Sequence, residues 1–211
     1  MKFQQFLKLS WIFGVLFLTG CMATGKYTVP MPESNNLVQN DKAAIILMRA
    51  SSYGGAITSP VMLVDDKGAT EIVGIIGPNE KMVHYVEPGN HTYMVIGENA
   101  DFMKAEVEAG KVYYALIRPR MGFWKARFSL TPLKVNPENP DFSINGENIS
   151  KWAKECVYTV PNAEVQKWHK AKTAQLSELY NKYMPEWEQK SLGQKAAATL
   201  ESIDGLDAVV Y

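Results

Sequence analysis

Residues 43–48 (AAIILM) are an uninterrupted apolar run in this chain of 211 residues. A run of this length without polar alternation is typical of a strand at the centre of a sheet. Further β-like runs follow at residues 61–64, 71–76, 81–86, 90–96, 102–108, 111–117 and 124–130. About eight short strands at spacings near ten residues predict a mainly β fold, an antiparallel β-sandwich of immunoglobulin-like or related type, over residues 42–135.

The turns between these runs carry the expected residue types. Residues 65–68 (DDKG), 77–79 (GPN) and 109–110 (AG) each end a run, and Pro88-Gly89 is a strong type II turn signal. Proline presets one backbone dihedral of such a turn, and glycine accepts the positive one.

Two histidines flank the Pro88-Gly89 turn. If that turn joins neighbouring strands, Val86 pairs with His91, and His84 lies diagonally from His91 on the same face, about 7–8 Å away. A metal site needs a third or fourth ligand, and the nearest acid, Glu87, lies in the turn itself. We therefore predict hydrogen-bonded sheet histidines and no metal site.

After residue 135 the pattern becomes helical. Residues 136–140 (NPENP) predict a loop and residues 149–156 a short helix. Asn162 is a good N-cap for a longer helix, with Glu164 in the first turn. Apolar residues recur at helical spacing as far as Pro185, namely Val165, Trp168, Leu176, Leu179, Tyr180 and Tyr183. We expect a loop and helical C-terminal extension over residues 136–211, with a second helix over residues 186–200.

This apolar stripe favours packing of the helix on its own domain. The alternative is an interaction helix or a coiled-coil seam, although Lys172 and Gln175 interrupt the heptad positions that a seam requires.

The N-terminus has the pattern of a secretory signal peptide. Lys2 and Lys8 precede an apolar run over residues 9–18, which is shorter than the roughly 20 residues of a transmembrane helix. Leu18-Thr19-Gly20-Cys21 closes this run and resembles the lipobox of bacterial lipoproteins. The resemblance implies removal of residues 1–20 and acylation of Cys21, a covalent lipid that is the one group we expect the chain to carry. The alternatives are a transmembrane helix and an ordinary cleaved signal.

The proline-broken polar segment over residues 21–41 predicts a lipidated cysteine followed by a flexible tether. In enterobacterial lipoproteins, aspartate directly after the cysteine retains the protein in the inner membrane, whereas Met22 stands here. The resemblance thus implies a lipid anchor in the outer membrane with the domain facing the periplasm, and exposure at the cell surface is the open alternative.

A second resemblance covers about half of the chain. The apolar strand at residues 43–46, the Pro-Gly-x-His turn at residues 88–91 and the Gly-Lys-x-Tyr-Tyr start at residues 110–114 resemble a β-rich domain of unknown function found in bacterial lipoproteins. This resemblance implies a β-sandwich and localisation to the cell envelope, and it identifies no catalytic residues.

Charge and cysteine content exclude some functions. Lys and Arg number 22, as do Asp and Glu, and removal of Lys2 and Lys8 with residues 1–20 leaves 20 against 22. A nearly neutral chain is not typical of a nucleic-acid binder. Acylation of Cys21 leaves Cys156 as a lone thiol, and its helical spacing from Ile149 and Ala153 predicts a buried, inert one.

One cationic patch is predicted. A turn at Met121-Gly122 would set Arg120 beside Phe123, so that Arg118, Arg120, Lys125 and Arg127 share one face while Ile117, Pro119 and Phe128 point inward. Such a patch suits phosphates, peptidoglycan carboxylates or an acidic envelope protein. The alternative is a solvated face, partly neutralised by Glu106 and Glu108 on the neighbouring strand.

The motifs of common enzymes are absent from the sequence, including the Gly-x-Ser-x-Gly elbow, the phosphate-binding loop, the dinucleotide fingerprint and the usual zinc motifs. We therefore expect a non-enzymatic binding or scaffolding module of the bacterial envelope. One alternative is a small-ligand or carbohydrate-binding sandwich that uses exposed aromatics such as Tyr53, Tyr93, Tyr113 or Trp187. A less favoured alternative is a hydrolase whose carboxylates meet only in space.

Overall fold

The structure, a computed structural model of the chain, describes residues 25–32, 37–53, 55, 57–121 and 127–209. The strands are β1 (Thr28–Pro30), β2 (Ala43–Arg49), β3 (Ser59–Val64), β4 (Thr70–Ile76), β5 (Glu80–Val86), β6 (Gly89–Ile96), β7 (Ala100–Val107), β8 (Val112–Arg120), β9 (Arg127–Pro132), β10 (Val157–Pro161) and β11 (Thr199–Leu200). The helices are α1 (Glu147–Glu155), α2 (Ala163–Glu188) and α3 (Leu192–Ala197), with 3-10 turns at Pro140–Phe142 and Ser202–Asp204.

The strands form two sheets that pack face to face. One sheet has the order β1-β10-β5-β2-β8-β9, and the other has the order β11-β7-β6-β3-β4. Inward-pointing residues of both sheets make one apolar core, in which Ile45 and Leu47 of β2 lie with Tyr93 and Val95 of β6. The prediction of a mainly β fold with two packed sheets is confirmed.

Helices cover the outer faces of both sheets. Ile46 and Met48, on the outer side of β2, pack with Ile149 of α1. On the second sheet, Met94 and Phe102 pack under α2 with its apolar stripe, confirming that this stripe packs on its own domain. The molecule therefore has four layers, helix, sheet, sheet and helix, and β2 is covered on both sides.

The pairing of the strands differs from the predicted antiparallel arrangement. Strand β2 runs parallel to β8, β10 runs parallel to β5, and β11 runs parallel to β7, while the other neighbours are antiparallel. An immunoglobulin-like sandwich has two antiparallel sheets, so the mixed pairing does not match that expectation. Parallel neighbours need long crossovers, and tight turns in the sequence do not reveal them.

The segment after residue 135 adds to both sheets as well as covering them. Strand β10 enters the first sheet between β1 and β5, and β11 extends the second sheet beside β7. Helix α2 continues through Pro185 to Glu188, and the expected second helix over residues 186–200 is divided into the end of α2, the short α3 and β11. The loop and helical extension predicted for residues 136–211 thus also supplies two strands.

Part of the segment predicted as a tether is also in the fold. Within residues 21–41, Thr28–Pro30 form β1 and pair with β10 in antiparallel register. The carbonyl of Tyr158 accepts a hydrogen bond of 3.0 Å from the amide of Met31. A proline-containing strand at the edge of a sheet keeps its free side toward solvent, which explains why proline in this segment does not prevent pairing.

We expect the domain to be destabilised when a buried side chain of α2 is truncated. Leu176 of α2 is fully buried against the second sheet, so Leu176→Ala should lower the free energy of unfolding by about 2–5 kcal/mol. Leu192 of α3 is 88% exposed, and Leu192→Ala should change it by no more than about 0.5 kcal/mol. Urea unfolding followed by circular dichroism measures both values, and equal losses in the two variants would contradict the packing of α2 on the sheet.

Candidate functional site

A cleft of about 700 Å³ lies at the β9 edge of the first sheet. Its walls come from the end of β8, from β9, from the loop that carries Pro137 and Phe142, and from the junction of α2 and α3. The volume lies within the range typical of ligand sites in proteins. The charged residues that line it are Arg118, Arg120, Lys134 and Lys190 together with Asp101 and Glu138.

Two arginines predicted from the sequence line this cleft. Arg118 and Arg120 are two positions apart on β8, so both side chains project from the outer face of the sheet. Arg118 is half-buried, and its guanidinium lies 4.5 Å from the centroid of the Phe142 ring. That ring is in turn stacked on Trp152, with centroids 6.3 Å apart. The stacked rings give Arg118 a fixed platform, and Arg120 stays exposed beside it.

The charges of these arginines are not neutralised locally. Burial, and to a smaller extent the charge of Arg120, lowers the pKa of Arg118 from its usual value. Within the described part of the chain, neither guanidinium makes an ion pair. An incoming carboxylate or phosphate would therefore find two fork-shaped donors side by side, the geometry that favours bidentate binding of such groups.

The two lysines of the cleft are already paired. Lys134 donates to Glu201 at 2.8 Å and to the carbonyl of Ala196 at 3.1 Å. Lys190 lies 3.3 Å from a carboxylate oxygen of Asp101. These pairs hold the α2–α3 junction against the sheets, so the arginines are the groups that remain to meet a ligand.

The other two residues of the predicted patch are placed differently. Arg127 lies directly opposite Arg120 in the β8–β9 pairing. The tight turn predicted at Met121-Gly122 would set Phe123 at that place, so the predicted pairing of Arg120 with Phe123 is wrong. Arg127 does share the face of Arg118 and Arg120, but its guanidinium is 3.6 Å from Glu98. Lys125 lies outside the described residues.

The expected neutralising acids are also elsewhere. Strand β7, which carries Glu106, belongs to the second sheet and is not a neighbour of β8. The solvated-face alternative assumed that Glu106 and Glu108 flank the arginines on a neighbouring strand, and this assumption is wrong. Glu98, at the turn before β7, is the acid that meets Arg127 instead. Sequence reasoning missed this contact and the roles of Phe142 and Lys190, because those residues are distant in the chain.

The flanking histidines of the Pro88-Gly89 turn are in different sheets. Strands β5 and β6 do not pair, so the conditional pairing of Val86 with His91 is wrong, and the chain instead crosses from one sheet to the other. His84 Nδ1 lies 2.9 Å from the hydroxyl of Tyr93 across the core, and His91 Nε2 lies 2.7 Å from the carbonyl of Glu87. Among the described residues, no group of three or more His, Cys, Asp or Glu side chains is placed to hold a metal ion.

The remaining candidates from the sequence are buried or lie outside the described residues. Cys156 is 5% exposed, and burial raises its pKa to about 12, which fits an inert thiol. Tyr93, Tyr113 and Trp187 are also buried, so these three are not the exposed aromatics that the small-ligand alternative assumed, whereas Tyr53 is 52% exposed. Cys21 is outside the described residues.

Comparisons with known proteins find no significant match to this chain among family models, curated proteins or solved structures. The helices within the described residues are too short or too polar to cross a bilayer. Function is therefore inferred from the residues and their geometry.

We expect His84 to make stability depend on pH. Burial, then the charges of His91 and Lys42, lowers the pKa of His84 from 6.5 to about 4. Unfolding is therefore coupled to the uptake of a proton between pH 6.5 and about pH 4. The contribution of neutral His84 to the free energy of unfolding is complete above pH 6.5 and is lost as the pH falls to about 4. The loss is about 3 kcal/mol, from 1.36 kcal/mol per pKa unit.

The matched comparison is His84→Gln, which cannot titrate. Urea unfolding of both proteins between pH 7 and pH 4 should show a free energy that falls more steeply in the parent chain. Parallel curves for the two proteins would mean that His84 does not stay neutral in the fold.

Proposed function

We propose that this protein is a lipid-anchored, non-enzymatic binding module of the bacterial envelope. Residues 1–20 are removed, Cys21 carries the acyl chains, and the domain faces the periplasm from the outer membrane. A single lipid chain binds a bilayer only weakly, whereas two or three give stable attachment. The basic start, the short apolar run and Leu18-Thr19-Gly20-Cys21 support the anchor.

The cleft is the proposed binding site. The observation that carries this proposal is the pair of guanidiniums of Arg118 and Arg120, adjacent in a cleft of about 700 Å³ and without an ion-pair partner among the described residues. Hydrogen bonds to charged groups contribute about 1.5–3 kcal/mol each. A carboxylate or phosphate at this position would also relieve the repulsion between the two arginines.

The partner that fits these groups is a carboxylate-bearing component of the envelope, either an acidic protein segment or peptidoglycan. A second candidate is a small anionic ligand, including an acidic carbohydrate, which the volume of the cleft and the Phe142 ring favour. Hydrolysis is the least favoured alternative, since of the two carboxylates that line the cleft Asp101 is paired with Lys190 and Glu138 lies exposed on the rim.

Acylation is tested at the two cysteines of the chain. Cys21→Ser should abolish metabolic palmitate labelling and move the protein from the membrane to the soluble fraction, because no other residue is proposed to carry lipid. The matched control is Cys156→Ser, which should keep the label and the membrane fraction. Palmitate labelling that persists in Cys21→Ser would refute the anchor.

Partner binding is tested by crosslinking in intact cells. A photoreactive residue at Glu138, on the exposed rim of the cleft, should give discrete adducts with envelope components. Arg118→Glu together with Arg120→Glu should reduce these adducts at least tenfold, because two attractive charges become repulsive.

Arg127→Glu is the matched control, since Arg127 lies on the same face but is paired with Glu98 and does not line the cleft. Its adducts should be retained. Adducts that are unchanged in the double variant, or lost equally in the control, would show that the cleft arginines do not recognise the partner.

A further inference from the structure

The N-terminal strand is attached firmly to the first sheet. Asn162, the N-cap of α2, donates from its backbone amide to the carbonyl of Tyr27 and from its side chain to the carbonyl of Lys26, both at 3.0 Å. Met31 donates to the carbonyl of Tyr158 on β10. The chain is thus held on both sides of β1, at residues before it and after it.

A buried carboxylate fixes the point at which the described fold begins. Glu80 is 9% exposed, and its two oxygens accept hydrogen bonds of 2.8 Å from the Thr28 hydroxyl and from the amide of Gly77. Gly25 packs closely on this group, since a Cβ there would lie 2.8 Å from the Thr28 hydroxyl oxygen. The chain is therefore fixed to the first sheet from Gly25 onward.

The connection from this point to the proposed lipid is short. Four residue steps separate Cys21 from Gly25, and a chain spans at most about 3.3–3.6 Å per residue, which gives a reach of about 14 Å at full extension. This distance is a limit for any conformation of the connection. If Cys21 carries lipid at the bilayer surface, Gly25, which packs on Thr28 at the start of β1, stays within about 14 Å of Cys21.

We infer that the edge of the first sheet formed by β1 and β10 lies against the phospholipid surface. This inference rests on the acylation of Cys21 proposed above. Lipid headgroups are the one partner that the short connection brings to this edge, whatever else the domain binds.

The chemistry of the edge is compatible with a lipid surface. Val29 of β1 is 39% exposed and Val157 of β10 is 45% exposed, and both line a hollow of about 240 Å³. Contact with the headgroup region would remove this apolar surface from water. Glu155, which lines this hollow, and Lys26, which follows directly on the lining residue Gly25, are both exposed.

The same orientation carries the cleft away from the membrane. Strands β1 and β9 are the opposite edges of the first sheet, five strand spacings apart. At about 4.8 Å per spacing, the two edges are about 24 Å apart. The cleft beside Arg118 and Arg120 would thus open into the aqueous compartment, where a cell-wall or protein partner is accessible.

Fluorescence quenching in vesicles tests the orientation. The full-length acylated protein is reconstituted into vesicles of phosphatidylethanolamine and phosphatidylglycerol that contain a headgroup-nitroxide lipid. A fluorophore is attached at Val29→Cys or at Met121→Cys, which is 81% exposed and directly follows β8, the neighbour of the far edge strand β9. Cys156 is buried and should remain unlabelled, as the parent chain will show. We expect at least threefold stronger quenching at position 29 than at position 121.

A spacer variant tests whether the short connection between Cys21 and Gly25 causes this orientation. Twenty Gly and Ser residues inserted between Met22 and Ala23 have an r.m.s. length of about 25 Å, and they should bring the ratio of quenching close to one. Equal quenching at the two positions without the spacer would overturn the inference, and so would a ratio that the spacer leaves unchanged. Lys26→Cys is a second probe position at the same edge if Val29→Cys folds poorly.

Mass spectrometry of the purified protein separates the two proposals. An acylated protein with equal quenching at both positions fails only the orientation. A protein without acyl mass on Cys21 fails the anchor and the orientation together.

Discussion

The structure depends on the burial of β2 on both of its faces. All seven residues of this strand are buried, and the six apolar residues at 43–48 alternate between the core shared by the two sheets and the core beneath α1. A strand that is apolar on both sides must be covered on both sides. Each Å² of apolar surface removed from water contributes about 25 cal/mol to the free energy of folding, and an uncovered face forgoes this stabilisation. The second sheet covers one side, and the segment after residue 135 covers the other.

This requirement explains why the region after residue 135 is an integral part of the fold. The long helix α2 covers the outer face of the second sheet, while α1 and its flanking loops cover the first. Because these segments must return to the sheets, they also supply β10 and β11 at sheet positions that local hairpins leave open. The parallel pairings of β10 with β5 and of β11 with β7 come from this return.

The cleft arises from the same covering segments. Arg118 and Arg120 come from the end of β8, next to the edge strand β9, but the Phe142 ring, the Lys190–Asp101 pair and the Lys134–Glu201 pair come from the covering layer and its contacts. Without that layer the arginines would lie on an open face. The sheet also separates the two proposed functional ends of the molecule, since β1 and β9 are its opposite edges.

The sequence by itself determined the strands from residue 43 to residue 117, the turns between them, the buried stripe of α2 and the burial of Cys156. These features depend on local periodicity, on turn chemistry and on capping, all of which are written in neighbouring residues. It also placed Arg118 and Arg120 on one face, because side chains two apart on a strand share a face. The tertiary structure alone decided which sheet each strand joins, the mixed pairing, the entry of β1 into the sheet and the pairing of Arg127 with Glu98. Those outcomes depend on which distant edges and faces remain uncovered, and no local pattern encodes that competition.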